Sequence, residues 1–238
     1  MKLREQCLLG LEACTNPVSV GLWQGGKPLG LTWLDHGLPG SQTLLLGVER
    51  LLVEVGLTKG ELQGICVTQG PGSFTSVRLG LATAEGLGLG LGIPLYGVGL
   101  LQVLANQLRH HPGRIQVIQN AYKGEVYWGL FQGGQGQATA LQPPQMLRPE
   151  VWAESLQPGD LVMGSGLALL RAQGLDLARW GATAETGFLA QAHALGVIEA
   201  LLEAEAIAPG GPAPQPIYLR LSEAEVNYGA HFAPRSLG

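Results

Sequence analysis

Charge is scarce in this sequence of 238 residues, where Asp, Glu, Lys and Arg make up 13% against ~25% in an ordinary globular chain. The formal net charge is −4 at pH 7. A sparsely charged, acidic chain does not supply the basic field that nucleic acid requires, so any RNA must be held through a partner. Aspartate occurs only as Asp35, Asp160 and Asp176, and the five histidines never recur four residues apart. That removes the i, i+4 pair with which a helix grips a metal ion. The cysteines, Cys7, Cys14 and Cys66, are odd in number and show no C-x-x-C spacing. Buried reduced thiols in a cytoplasmic protein are expected, not a disulfide frame or a zinc site. There is no Gly-x-Ser-x-Gly elbow around Ser73 or Ser165, and no Gly-Lys-Ser or Gly-Lys-Thr of a P-loop. No apolar run reaches the ~18 residues of a membrane span. The nearest, 77–93, carries Arg78 and Glu85. Met1 to Gln6 lead into a strand pattern and not into the apolar core of a signal peptide.

What the chain has in abundance is glycine, 37 residues, and apolar surface, with mean hydropathy of +0.19. Such a chain holds more apolar surface than a lone globule hides, so part of it is expected to meet another protein. Strands are predicted over Cys7–Ala13, Val18–Trp23 and Leu29–Leu34, joined by Thr15-Asn16-Pro17 and by Gln24-Gly25-Gly26-Lys27. From Ser41 to Val55, Leu44, Leu45, Val48, Leu51, Leu52 and Val55 follow helical spacing up to Gly56, and Leu46, Arg50 and Val53 make a second strip. A strand at Ile65–Gln69 then turns through Gly70-Pro71-Gly72-Ser73 into a helix from Thr75 to about Leu91.

That glycine corner has two readings. Gly70 and Gly72 tolerate positive φ, and Ser73 or Thr75 can cap the helix. Read as a site, the free N–H groups at the helix start, with Arg78 in its first turn, form a concavity for a phosphate or carboxylate. Read as structure, it is a tight turn.

After Tyr96 and a helix around Leu100–Leu108 the same grammar restarts. Strands are predicted at Ile115–Gln119 and Glu125–Phe131, flanking the turn Asn120-Ala121-Tyr122-Lys123-Gly124, with a hairpin loop at Gly133–Gly136 and a further strand at Leu161–Met163. Glu125 to Trp128 alternates as in a strand with one solvated face. A helix rich in Ala and Leu is expected over Gly187–Ala208, then a flexible connector near 208–214, and the tail 221–238 is left unassigned. The expected fold is α/β with a half-domain over 1–100 and a reduced second one over 101–238.

The run Gly70-Pro71-Gly72-Ser73-Phe74-Thr75, Val77-Arg78-Leu79-Gly80, Gly86-Leu87 and Pro94 resembles the signature of the bacterial TsaB (YeaZ-like) family. Leu8 to Glu12, Val18 to Trp23, Gly124 to Trp128 and Pro216 to Arg220 agree in order and spacing. The resemblance implies an actin-like ATPase fold built from two ribonuclease H-like halves. It also implies a role in threonylcarbamoyladenosine modification of tRNA as a non-catalytic subunit supporting a TsaD-like catalytic paralogue, with a TsaE-like ATPase in the same complex and homodimers when alone. Family relatives commonly carry Asp-Thr where this chain has Glu12-Ala13, and Asp where it has Asn120. An alternative, an actin-like small-molecule kinase or ATPase, is weakened by those departures, because it would need an acidic residue and a hydroxyl there for phosphate and Mg²⁺. A metallo-endopeptidase is weakened by the missing histidine pair.

Ser76, Gly80, Ala84 and Gly88 recur every fourth residue, which leaves a groove for a closely approaching element. That element is either the chain's own sheet or a partner helix, and the second strip at Leu46, Arg50 and Val53 favours a partner. In TsaB relatives these two helices are the pairing surface, so arginine at Gly80 is expected to abolish pairing and leave the monomer folded. No catalytic residue, metal or cofactor is expected. Arg220 can bind an anion or another chain's carboxylate, and a surface salt bridge is the simpler reading.

Overall fold

In a computed structural model the chain is described over residues 2–34, 40–134, 136–204 and 213–220. Two mixed sheets carry the fold, and the second repeats the strand order of the first. In the first sheet β1 (Leu8–Glu12), β2 (Val18–Gln24) and β3 (Lys27–Leu34) form an antiparallel meander, and β4 (Gly64–Thr68) and β5 (Leu95–Val98) add in parallel beyond β1. Helix α1 (Gly40–Val55) joins β3 to β4, α2 (Phe74–Leu91) joins β4 to β5, and α3 (Leu100–Gln107) follows β5.

The second half restates this plan. β6 (Arg114–Asn120) and β7 (Val126–Gln132) pair antiparallel, and the short β8 (Thr139–Ala140) and β9 (Gln145–Leu147) share the third position. β10 (Leu161–Met163) and β11 (Thr183–Glu185) then add in parallel beyond β6. The helices α4 (Pro149–Ala153), α5 (Gly166–Ala172) and α6 (Ala194–Glu203) fall where α1, α2 and α3 fell. Reduction of this half is visible in the lengths: α4 has 5 residues against 16 in α1, and α5 has 7 against 18 in α2.

Alternation along the strands builds three apolar layers. Leu9, Leu11, Val20, Leu22, Ile65 and Val67 face α1 and α2. Leu8, Trp23, Cys66 and Tyr96 face inward, where α3 and α6 lie between the sheets. Ile118, Val126, Trp128 and Val162 face α4 and α5. Each fully buried Leu, Ile or Val contributes about 1.5–3 kcal/mol, so layers this extensive hold the halves without a disulfide, and Cys7, Cys14 and Cys66 are free. The third helices are exchanged: α3 packs on β6 and β7 of the second sheet, and α6 returns to β1 and β2 of the first. The sequence places α6 in the second unit; its packing ties it to the first sheet. Gly10 and Gly21 sit opposite each other in the β1–β2 register. A Cβ at Gly10 would lie 2.3 Å from the Ala194 carbonyl oxygen, so these bare positions are what lets α6 settle on the sheet.

Three sequence expectations change. The helix predicted over 187–208 starts only at Ala194, because Gly187 is extended, Phe188–Ala190 forms a 3₁₀ turn and His193 caps the helix from an extended conformation. Leu45, assigned to the core stripe, is 43% exposed at the stripe's margin. The solvated face expected along Glu125–Trp128 is absent beyond Glu125: Val126, Tyr127 and Trp128 are all buried, since helices cover both faces of the second sheet. Most of the proposed connector, 208–212, and the tail 221–238 lie outside the described residues, as do His36 and His231.

Candidate functional site

Four loops meet at one end of the two sheets. From the first half come the β1–β2 turn and the glycine corner, and from the second come the turn 120–124 and the corner Gly164-Ser165-Gly166 between β10 and α5. The two corners are counterparts. Gly70 has φ +102° and Gly164 φ +108°, a region L side chains rarely adopt. Space is equally short: a Cβ at Gly70 would lie 2.7 Å from the carbonyl oxygen of Ile217, and one at Gly164 would lie 2.2 Å from that of Ile118. Between the loops lies a cleft of about 240 Å³ lined by Cys14, Thr15, Ser73, Asn120, Tyr127 and Ser165 among others.

The chemistry of the β1–β2 turn is turned inward. Glu12 is fully buried. Its Oε1 accepts from the backbone N–H groups of Cys14 (2.8 Å) and Thr15 (3.1 Å), and its Oε2 accepts from Thr15 Oγ1 (2.6 Å). Burial raises its pKa to about 7, against the lowering effect of these hydrogen bonds. The Cys14 thiol donates to Thr68 Oγ1 at 3.2 Å. Burial, then the adjacent Glu12 charge, push its pKa up to about 12, which disfavours the thiolate. Both Glu12 oxygens are spent on their own turn, and Asn120 Oδ1 accepts from the Tyr122 N–H at 2.8 Å. These residues do not fit the Mg²⁺ and phosphate arrangement of a kinase. Among the described residues no group of three or more His, Cys, Asp or Glu is placed to hold a metal ion.

At the glycine corner Ser73 is the N-cap, its hydroxyl accepting from Ser76 N–H at 3.1 Å. Thr75 takes no part in the cap. Arg78 is turned away from the corner: its guanidinium lies 3.6 Å over the Phe74 ring, and Nε donates to Tyr218 Oη at 3.0 Å. Residues 213–220 run across the corner as a strap. Ile217 N–H donates to the Gln69 carbonyl (2.7 Å), Gln69 Nε2 donates to the Gln215 carbonyl (2.8 Å), and Tyr218 stacks on Phe74. The strap ends in the second half, where Arg220 pairs with Glu125 and donates to the Tyr122 carbonyl at 3.3 Å. Tyr122 and Lys123 both hold positive φ, 59° and 54°.

The stripe of small residues on α2 divides from its expected role. Ser76 is half-buried, but Gly80, Ala84 and Gly88 are buried against the chain's own structure. A Cβ at Gly80 would lie 3.0 Å from that of Ala13, and one at Gly88 would lie 2.6 Å from the Leu95 side chain. The close approach there is made to the sheet. A second stripe half a turn round, Ala82, Gly86 and Gly90, is exposed, and a Cβ at either glycine meets nothing within 4 Å. Next to it Leu89 is 88% exposed. On the neighbouring α1, Leu46, Arg50 and Val53 point outward as expected, Val53 being 80% exposed. Of the predicted interface, the α1 strip lies open and the α2 strip lies inside. The signal for the open stripe was present as glycine at Gly86 and Gly90, but period alone does not say which of two small faces meets the sheet.

The family model for TsaD, tRNA N6-adenosine threonylcarbamoyltransferase, matches residues 41–166. The Bacillus subtilis tRNA threonylcarbamoyladenosine biosynthesis protein TsaB is 34% identical over 184 residues, covering 76% of this chain and 80% of that protein. Its Escherichia coli namesake is 31% identical over 156 residues, 63% of this chain and 66% of that one. Among solved structures, an uncharacterized protein with similarity to peptidase YeaZ from Pseudomonas aeruginosa superposes with TM-score 0.71 at 26% identity, over 90% of this chain and all of that one.

Proposed function

Because the chain belongs to the TsaB (YeaZ-like) family, we propose that it is a non-catalytic scaffold subunit in the biosynthesis of threonylcarbamoyladenosine in tRNA. The observation that carries this reading is the outward face of α1 and α2. Leu46, Val53 and Leu89 stand exposed on helices that pack side by side on one face of the first sheet, next to the open stripe Ala82, Gly86 and Gly90. Exposed apolar side chains beside glycines with free space above them suit a closely docked helix pair. The occupant is a TsaD-like catalytic subunit, and in its absence a second copy of this chain. A TsaE-like ATPase joins the same complex. The tRNA is held by the assembly, in keeping with the net charge of −4, and the setting is the cytoplasm.

Support for the non-catalytic part comes from the cleft. Glu12 spends both oxygens on its own turn and burial disfavours the Cys14 thiolate. The test is reconstitution: the purified chain and the TsaD-like protein of its own organism should elute as one complex, and its addition should restore threonylcarbamoyl transfer to tRNA. Absence of both, or Mg²⁺-dependent ATP turnover by the isolated chain, overturns the reading.

A further inference from the structure

The turn between β6 and β7 is held in a conformation that its residues resist. Tyr122, Lys123 and Gly124 have positive φ in succession, 59°, 54° and 79°. Gly124 takes that region freely. Other residues enter it singly and at a cost, and Tyr and Lys lack the short polar side chain that eases it for Asn or Asp. Strain of this kind persists only where the surroundings over-determine it.

The β1–β2 turn, its counterpart in the first half, is closed by its own Glu12, which accepts from Cys14 and Thr15. In the β6–β7 turn Asn120 Oδ1 takes the Tyr122 N–H. Two backbone bonds add to this, from Ala121 N–H to the Glu125 carbonyl (2.9 Å) and from Glu125 N–H to the Tyr122 carbonyl (3.1 Å). The remaining grip comes from outside the turn. Arg220 donates to the Tyr122 carbonyl at 3.3 Å and pairs with the Glu125 carboxylate, so a single guanidinium spans the turn from residue 122 to residue 125. It stands at the end of a strap whose other ties go to the first half, Ile217 and Gln215 to Gln69, and Tyr218 to Phe74 and Arg78.

We propose that Arg220 is a latch on a strained turn. With the strap seated, the turn 120–124 keeps its left-handed form; when Arg220 lets go, the turn relaxes and reshapes the cleft wall to which Asn120 and Tyr122 belong. The strain drives the change and the guanidinium restrains it, so the strap controls a cleft wall that belongs to the other half. The latch does not depend on partner pairing through α1 and α2.

Hydrogen–deuterium exchange of the full chain tests this, followed by NMR at Ala121 and Glu125, whose amides close the turn, and at Ile217, whose amide reports the strap. Arg220→Gln should speed exchange about tenfold at all three amides, the effect of losing one hydrogen bond to a charged group. Adding Lys123→Gly, which relieves one left-handed residue, should slow Ala121 and Glu125 again by about fivefold or more and leave Ile217 fast. An arginine that only pins the strap moves Ile217 alone. Unchanged rates at Ala121 and Glu125 in Arg220→Gln, or fast rates there that Lys123→Gly does not slow, overturn the proposal.

Discussion

Tyr218 and Arg78 meet across 140 residues of sequence, with Arg78 Nε donating to Tyr218 Oη at 3.0 Å. The contact redefines both residues. Arg78 anchors the strap in place of facing an anion, and Tyr218 fastens the end of the chain to the helix that follows the glycine corner. Arg220 then fixes the strap to Glu125 in the second half, with the two side chains 24% and 29% exposed. Replacing Arg220 with Gln is expected to cost about 1–2 kcal/mol, for a partly exposed charged hydrogen bond. The Ile217 amide, bonded to the Gln69 carbonyl, should then exchange about tenfold faster with solvent deuterium.

Two glycines on one helix should respond in opposite directions. Gly80→Ala brings a methyl to 3.0 Å from Ala13 Cβ, and overpacking of that kind costs about 1–3 kcal/mol, partly offset by helix propensity. Gly86→Ala meets open space and should gain up to ~1 kcal/mol. Urea denaturation of the two variants checks both signs. Arginine at Gly80, expected from sequence to block pairing in a folded monomer, should instead disrupt the monomer.

That contrast marks what was legible in the sequence. Apolar runs bounded by turn residues located the strands of the first half, and helical period located α1, where Leu44, Val48 and Leu51 bury one face. The small-residue stripe on α2 was legible as a place of close approach. Which side approaches was not, because Gly80 and Gly86 are the same residue and differ only in what the tertiary fold puts above them. The strap was invisible for the same reason: Ile217, Tyr218 and Arg220 act through Gln69, Arg78 and Glu125, and no local pattern links them. The repeat of the glycine corner at Gly164 was present in the chain as Gly-Ser-Gly, without the proline that drew attention to its counterpart.

Glu12 gives the protein a pH dependence of definite sign. Its folded pKa, about 7, lies above the ordinary value of 4.5, so the native state binds the proton more tightly. The associated stability is fully present below the unfolded pKa and is lost as pH rises through about 7. At 1.36 kcal/mol per unit the loss between pH 5 and 8 is about 2–3 kcal/mol. Glu12→Gln, which keeps an acceptor for the N–H groups of Cys14 and Thr15, should remove that decline when unfolding free energies are compared at the two pH values.

His193 acts at the other limb. Its Nδ1 accepts from Gly196 N–H at 2.9 Å as the cap of α6, and burial lowers its pKa. A depressed folded pKa means that its contribution is present above the unfolded value near 6.5 and is lost as pH falls through the folded one. His193→Asn keeps a capping oxygen and should flatten the acid side of the melting profile relative to the parent chain. His193→Ala should cost about 1 kcal/mol at neutral pH.

The open face of α1 and α2 carries the proposed pairing, and light scattering on the purified chain mixed with its organism's TsaD-like protein tests it directly. The expected result is a discrete heteromeric complex with the parent chain, and separate components with Gly86→Arg at an unchanged melting temperature. A Gly86→Arg chain that pairs as well as the parent, or a parent chain that forms no complex, contradicts it.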